Sequence, residues 1–203
     1  MNSRFDLATL DAYSNDAARY SNEWLAQPAP NDMYQLFETH LLPGGATADI
    51  GCGNGRDTAW LAAHGYRAHG FDASAGLLRE AARLYPGIAF DTATLPALAE
   101  IDRTFDNVVC ETVIMHLPAE SITLAVDSLQ RILRPDGILY LSWRVTVGGD
   151  KRQEDGRLYS SFEPSLVIDA LSGHSILHFD DVTSESSGKR VCRVIVAKHD
   201  DVA

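Results

Sequence analysis

The chain has 203 residues, 45% of them apolar, which suits one compact domain with a central sheet covered on both faces. Its 17 Lys and Arg stand against 28 Asp and Glu, and the formal net charge of -11 repels polyanions and argues against a nucleic-acid substrate. The three cysteines, Cys52, Cys110 and Cys192, form no C-x-x-C pair and are too few for a disulfide framework or a zinc cage, so no metal site is expected. Met1 leads into polar residues rather than a basic start and an apolar core. No apolar run approaches the roughly 18 residues of a membrane span, so the sequence reads as a cytoplasmic protein.

In chain order, residues 13–20 place Tyr13 and Tyr20 two helical turns apart on one face of a predicted N-terminal helix, which Trp24 anchors. Asn31 can cap a second helix whose Met33, Leu36, Phe37 and Leu41 share a face, and Leu42-Pro43-Gly44-Gly45 ends it. Strands are predicted at 47–50, 67–71, 88–90, 105–110 and 138–143. Helices alternate with them. One runs from a glycine-rich loop to Gly65, and one carries Leu77, Leu78, Ala81 and Leu84 ahead of Pro86-Gly87. A third carries Ile122, Ala125, Val126, Leu129 and Leu133 ahead of the Pro135-Asp136-Gly137 turn. Residues 144–161 are polar and long for a connection inside a domain, which suggests a functional loop. Leu166, Val167, Ala170 and Leu171 predict a last helix before Gly173, and the runs 176–179 and 191–197 flank Ser186-Ser187-Gly188-Lys189 as a hairpin. Lys189, Arg190 and Arg193 read as its charged turn and partly exposed strand rather than as a phosphate site. Strands alternating with helices imply a mainly parallel α/β sheet in a single domain.

The chemistry concentrates at predicted strand ends. Ala48-Asp49-Ile50-Gly51-Cys52-Gly53-Asn54-Gly55-Arg56-Asp57 joins the first strand to a helix through three alternating glycines, a bend where a ligand can lie against backbone. A dinucleotide fingerprint spaces its glycines G-x-G-x-x-G, whereas here the third arrives one residue early. Asp72 ends the second strand, where one carboxylate can accept both hydroxyls of a ribose. Phe90-Asp91-Thr92-Ala93-Thr94-Leu95-Pro96 puts another acid at the end of the third. Cys110-Glu111 and Met115-His116-Leu117-Pro118 follow the fourth, and Leu133-Arg134-Pro135-Asp136-Gly137 precedes the fifth.

In this order the five pieces resemble the class I S-adenosylmethionine-dependent methyltransferases, especially small bacterial members that act on metabolites. Gly-Cys-Gly-Asn-Gly-Arg is similar to the tellurite-resistance methyltransferases, and Leu-Arg-Pro-Asp-Gly to those of ubiquinone and menaquinone biosynthesis. The resemblance implies a Rossmann-like, doubly wound, seven-stranded sheet with a C-terminal antiparallel hairpin, and S-adenosyl-L-methionine as cofactor. It implies four segments: a helical lid at 1–30, a cofactor-binding core at 31–143, an acceptor-side loop at 144–161, and a C-terminal helix and hairpin at 162–203. Asp49, Gly51, Cys52, Gly53 and Gly55 would receive the methionine part of the cofactor, with Arg56 near its carboxylate. Asp72 would accept the ribose hydroxyls and Ala73 would lie against the adenine. Asp91 would accept from the adenine amino group while Thr92 covers its edge, and Glu111 would line the sulfonium. Tyr13 and Tyr20 would form a lid over the donor methyl, Tyr13 toward the cofactor and Tyr20 at the catalytic step.

Methyl transfer mainly requires acceptor, methyl and sulfur in line, and a base matters only where the nucleophile must first lose a proton. His116 is the histidine closest to the expected acceptor pocket, as base and as acceptor contact. Arg144 leaves the fifth strand where it could hold an anionic acceptor, and Tyr159 is a further acceptor-side residue. The expected partner is a small-molecule acceptor, with neither nucleic acid nor membrane, in a monomer or homodimer. Other readings stay open: a protein that binds S-adenosylmethionine without autonomous transfer, and an NAD-dependent oxidoreductase, whose glycine spacing does not match. A tRNA or protein methyltransferase would carry an Asn-Pro-Pro-Tyr type motif where this chain has Cys110-Glu111-Thr112-Val113.

Overall fold

A computed structural model describes residues 5–199. The reading of the start at Met1 and the outer ends of the segments 1–30 and 162–203 lie outside the described residues. Three helices, α1 (Leu7–Asn15), α2 (Ala17–Leu25) and α3 (Asn31–His40), precede β1 (Ala46–Ile50). There follow α4 (Arg56–Ala63), β2 (Arg67–Asp72), α5 (Ala75–Leu84), β3 (Ala89–Thr92), β4 (Phe105–Cys110), α6 (Ile122–Arg131) and β5 (Leu133–Arg144). A short hairpin of β6 (Lys151–Arg152) and β7 (Leu158–Tyr159) leads to α7 (Pro164–Ala170), and β8 (Ser175–Thr183) and β9 (Arg190–Ala197) close the chain.

The large sheet has seven strands in the order β3-β2-β1-β4-β5-β9-β8. The first five pair in parallel, and β9 is antiparallel to both β5 and β8. The chain therefore builds outward from β1 in one direction and then returns to build from β4 in the other, which opens a crevice beyond the carboxyl ends of these two strands. Alternating side chains fill both faces. Val108, Cys110, Leu139, Leu141 and Trp143 join Ile122, Val126 and Leu129 of α6. Val109, Ile138 and Tyr140 meet Tyr34 and Phe37 of α3 and Leu61 of α4.

The structure corrects the N-terminal helix. Asp16 breaks it in two, at φ -109° and ψ 24°, with its carboxylate drawn to Arg19 at 3.0 Å. Tyr13 and Tyr20 thus sit on different helices, yet their ring centroids are 4.9 Å apart. Asn31 is already helical, so its side chain does not cap α3, and Pro30 holds the cap position. Residues 144–161 are not irregular throughout, because the β6–β7 hairpin clasps α1 and α2. Arg152 meets Asp6 at 2.7 Å, the Tyr20 hydroxyl donates to Asp155 at 2.9 Å, and the Leu158 N–H donates to the Thr9 hydroxyl at 2.8 Å. Among the described residues no helix is long and apolar enough to cross a membrane.

Arg193 differs from its neighbours Lys189 and Arg190, because its side chain is buried and meets Asp180 and Asp32, each at 2.6 Å. It joins β9, β8 and α3 and so fixes the hairpin against the domain. Replacing Arg193 with Met leaves the partly buried Asp32 carboxylate unmatched and Asp180 with His178 alone, and an equilibrium urea titration is expected to show a loss of about 3 kcal/mol. A loss below about 1 kcal/mol would show that this ion pair does not hold the hairpin.

Candidate active site

After Ile50 the chain reverses through Gly51 and Gly53, at φ 76° and 57°, and Gly55 leads into α4. A β-carbon at Gly51 would run into the Val113 side chain, and one at Gly53 would stand 2.9 Å from the Trp24 ring. Both positions require glycine for conformation and for space. The Gly51 and Cys52 N–H groups donate to the Phe71 carbonyl. The Gly53 N–H donates to the Asp72 carboxylate at 2.9 Å, which also accepts the Ser74 N–H at 2.8 Å. Burial pushes the Asp72 carboxyl up, against the pull of these N–H groups. Ser74 in turn caps α5, accepting the Leu77 N–H at 3.2 Å.

The bend opens onto a cavity of about 320 Å3, within the range that takes a nucleoside-sized ligand. Tyr13, Gly51, Cys52, Gly53, Arg56, Asp72, Ala73, Glu111, His116, Arg144 and Tyr159 line it. Five of the expected residues do not. Asp49 lies beneath the bend, where it accepts the Thr58 hydroxyl at 2.6 Å and so fastens α4 to β1. Gly55 faces Phe90, which would be 2.6 Å from a β-carbon there. Tyr20 is buried behind Tyr13 with its hydroxyl on Asp155, so it does not line the cavity. Asp91 and Thr92 fall outside because β3 runs two residues beyond its expected end. Asp91 is exposed and accepts from His69 Nε2 at 2.8 Å, and Ala93, Thr94 and Leu95 reach the cavity instead.

Sequence reasoning missed several lining residues. Asp57 holds Arg56 at 2.9 Å, and Ser186 comes from the tip of the β8–β9 hairpin, across the fold. Trp24 was expected only as an anchor, yet it lines the cavity against Gly53.

The electrostatics are uneven. Burial and the neighbouring Asp57 lift Asp49 to about 7. Burial also raises Glu111, although its carboxylate accepts the hydroxyls of Ser142 and, at 2.7 Å, Tyr140. His116 lies on the other side. Its Nδ1 is 2.6 Å from the Leu158 carbonyl, which can only accept, so Nδ1 carries the hydrogen. Nε2 is then the lone-pair nitrogen and accepts the Tyr13 hydroxyl at 2.9 Å. Burial holds the His116 pKa down to about 4, so the ring is neutral at physiological pH.

A crevice at the switch point, a side-chain-free bend, a carboxylate beside it and an acid-rich wall form a site that suits S-adenosylmethionine. Residues 48–137 match the family described as the methyltransferase domain. No curated protein matches. Solved structures share the fold. The 1,6-didemethyltoxoflavin-N1-methyltransferase of Burkholderia thailandensis, with bound 1,6-didemethyltoxoflavin and S-adenosylhomocysteine, is 20% identical with a TM-score of 0.76, over 96% of this chain and 88% of that one. A SAM-dependent methyltransferase of Anabaena variabilis is 20% identical with a TM-score of 0.74, over 98% of each chain. The glycopeptide N-methyltransferase MtfA, complexed with S-adenosylhomocysteine, is 16% identical with a TM-score of 0.67, over 81% of this chain and 88% of that one.

The raised Asp49 pKa has a consequence for the ligand-free protein. Between about pH 4 and 7 the folded state holds a proton on Asp49 that the unfolded state has released, so stability falls as pH rises through that window. Replacing Asp49 with Asn is expected to flatten the fall, read as melting temperature between about pH 5 and 7. An unchanged slope would contradict the buried, proton-holding carboxyl.

Proposed function

We propose that this cavity binds S-adenosylmethionine and transfers its methyl group to a heteroatom of a small metabolite in the cytoplasm. The observation that carries the reading is one cavity with two unlike walls: the glycine bend with Asp72 on one, and the neutral Tyr13–His116 pair on the other. Asp72 supplies acceptors for the ribose hydroxyls, with Ala73, Leu77 and Leu95 as apolar surface for the adenine. Arg56 suits the carboxylate of the methionine part, and Asp57 and Glu111 supply negative charge for its ammonium and sulfonium. When bound, the cofactor supplies an electrophilic methyl on a sulfonium, a good leaving group.

The chain's own work is then positioning and handling a proton. Tyr13 donates to His116, so the lone pairs of the Tyr13 oxygen can accept from an acceptor's X–H while Nε2 takes the Tyr13 proton. Residues of α1 and α2 share the cavity with the bend, which leaves space for a small acceptor rather than a polymer. Together with the net charge of -11, this supports a small molecule, not nucleic acid, and the protein acts as a monomer or homodimer.

A methyl-release assay across hydroxyl, amine and thiol metabolites tests the reading through formation of S-adenosylhomocysteine. With a hydroxyl acceptor, His116→Asn is expected to lower kcat about a hundredfold while cofactor affinity holds. Because His116 stays neutral above about pH 4, wild-type kcat shows no step from this group between about pH 6 and 8. Binding of the cofactor with no transfer to any acceptor would contradict the proposal.

A further inference from the structure

The cavity's arginines are not equivalent. Arg56 is matched by Asp57 and Arg157 by Asp155, each at 2.9 Å. Arg144, at the carboxyl end of β5, has no carboxylate within ion-pair distance among the described residues, and its guanidinium carbon lies 4.8 Å from the Tyr159 ring centroid. Tyr159 packs edge-on against His116, with centroids 4.7 Å apart. Among the described residues no ion pair holds this half-buried cation: Asp57 and Asp155 are engaged by the two other arginines, and Asp72 and Glu111 accept from backbone amides and hydroxyls. A matching charge must come from outside.

We propose that Arg144 selects the acceptor: it binds the carboxylate of a small planar acid and so sets that acid's nucleophilic heteroatom beside Tyr13 and His116. The inference rests on the methyl-transfer reading above. A planar guanidinium can form two parallel N–H···O bonds with a carboxylate, and its place over the Tyr159 ring restrains where that fork sits. Tyr13, Tyr159, Val113, Met115 and Leu117 also line the cavity and give flat or apolar surface to the body of an aromatic acid. A phosphate would call for more than one free cation, and Lys189, the other lining cation with no ion pair among the described residues, is exposed at the β8–β9 hairpin tip. Arg144 is therefore a specificity-determining residue, distinct from the groups that hold the donor.

The test uses the full chain saturated with S-adenosylhomocysteine and titrated calorimetrically with matched acids and amides: benzoate and benzamide, 4-hydroxybenzoate and 4-hydroxybenzamide, nicotinate and nicotinamide. The acids are expected to bind at least about tenfold more tightly than their amides. Arg144→Gln should abolish that preference with S-adenosylhomocysteine affinity unchanged, and Arg144→Lys should restore part of it. Equal binding of acids and amides, or no binding of any acid, would overturn the proposal. So would a loss of S-adenosylhomocysteine affinity in Arg144→Gln, which would assign the residue to the donor. Failure of the wild-type protein to bind S-adenosylhomocysteine at all would instead bring down the methyl-transfer reading, and this inference with it.

Discussion

The hydrogen bond from the Gly53 amide to the Asp72 carboxylate is the contact on which the site depends. It ties the bend after β1 to the end of β2, so two parallel strands present their carboxyl ends as one surface rather than as two loose loops. Asp72 also accepts the Ser74 amide, and Ser74 caps α5, so the same carboxylate sets where that helix begins. The bend can make this bond only because Gly51 and Gly53 hold left-handed backbone in a space already taken by Val113 and Trp24. Sequence, backbone geometry and ligand surface are one constraint here.

That constraint has an electrostatic cost which the function explains. Asp49, Asp57, Asp72 and Glu111 gather around the bend; burial pushes Asp49, Asp72 and Glu111 up, and repulsion from Asp57 adds to it at Asp49 and Glu111. An acid-rich pocket is unfavourable by itself and favourable around a cation, and the donor carries a sulfonium and an ammonium. The opposite wall has the reverse character: a neutral histidine, tyrosines and an arginine lacking an acid. The β6–β7 hairpin carries much of this second wall and also clasps α1 and α2, so the N-terminal helices and residues 144–161 act as one unit over the strands.

Much of the first wall was legible in the sequence, because it is local. The glycine bend, Asp72, Ala73 and Glu111 follow predicted strands directly, and a strand-to-helix turn places such residues whatever the rest of the chain does. The mainly parallel pairing of the strands followed from their alternation with helices. Errors arose where an element's end or break point, set by only a residue or two, decides the outcome. Carrying β3 on to Thr92 moved Asp91 out to His69 and brought Thr94 in, and a break at Asp16 turned one helix into two. The second wall was the least legible. Tyr13 meets His116 and Ser186 reaches Arg56 only through the tertiary fold, so no spacing could announce them. Tyr20 shows the limit of helical periodicity: it shares a cluster with Tyr13, as the spacing suggested, but faces Asp155 rather than the cavity.

The central claim is that the switch-point cavity holds the methyl donor against Asp72, with the reacting end toward Tyr13 and His116. A crystal structure of the protein grown with S-adenosylhomocysteine tests it most directly. The expected result is a ribose whose hydroxyls donate to the Asp72 carboxylate, with the sulfur lying between Glu111 and the Tyr13–His116 pair. A nucleoside bound elsewhere, or a cavity closed to the ligand at saturating concentration, would contradict it.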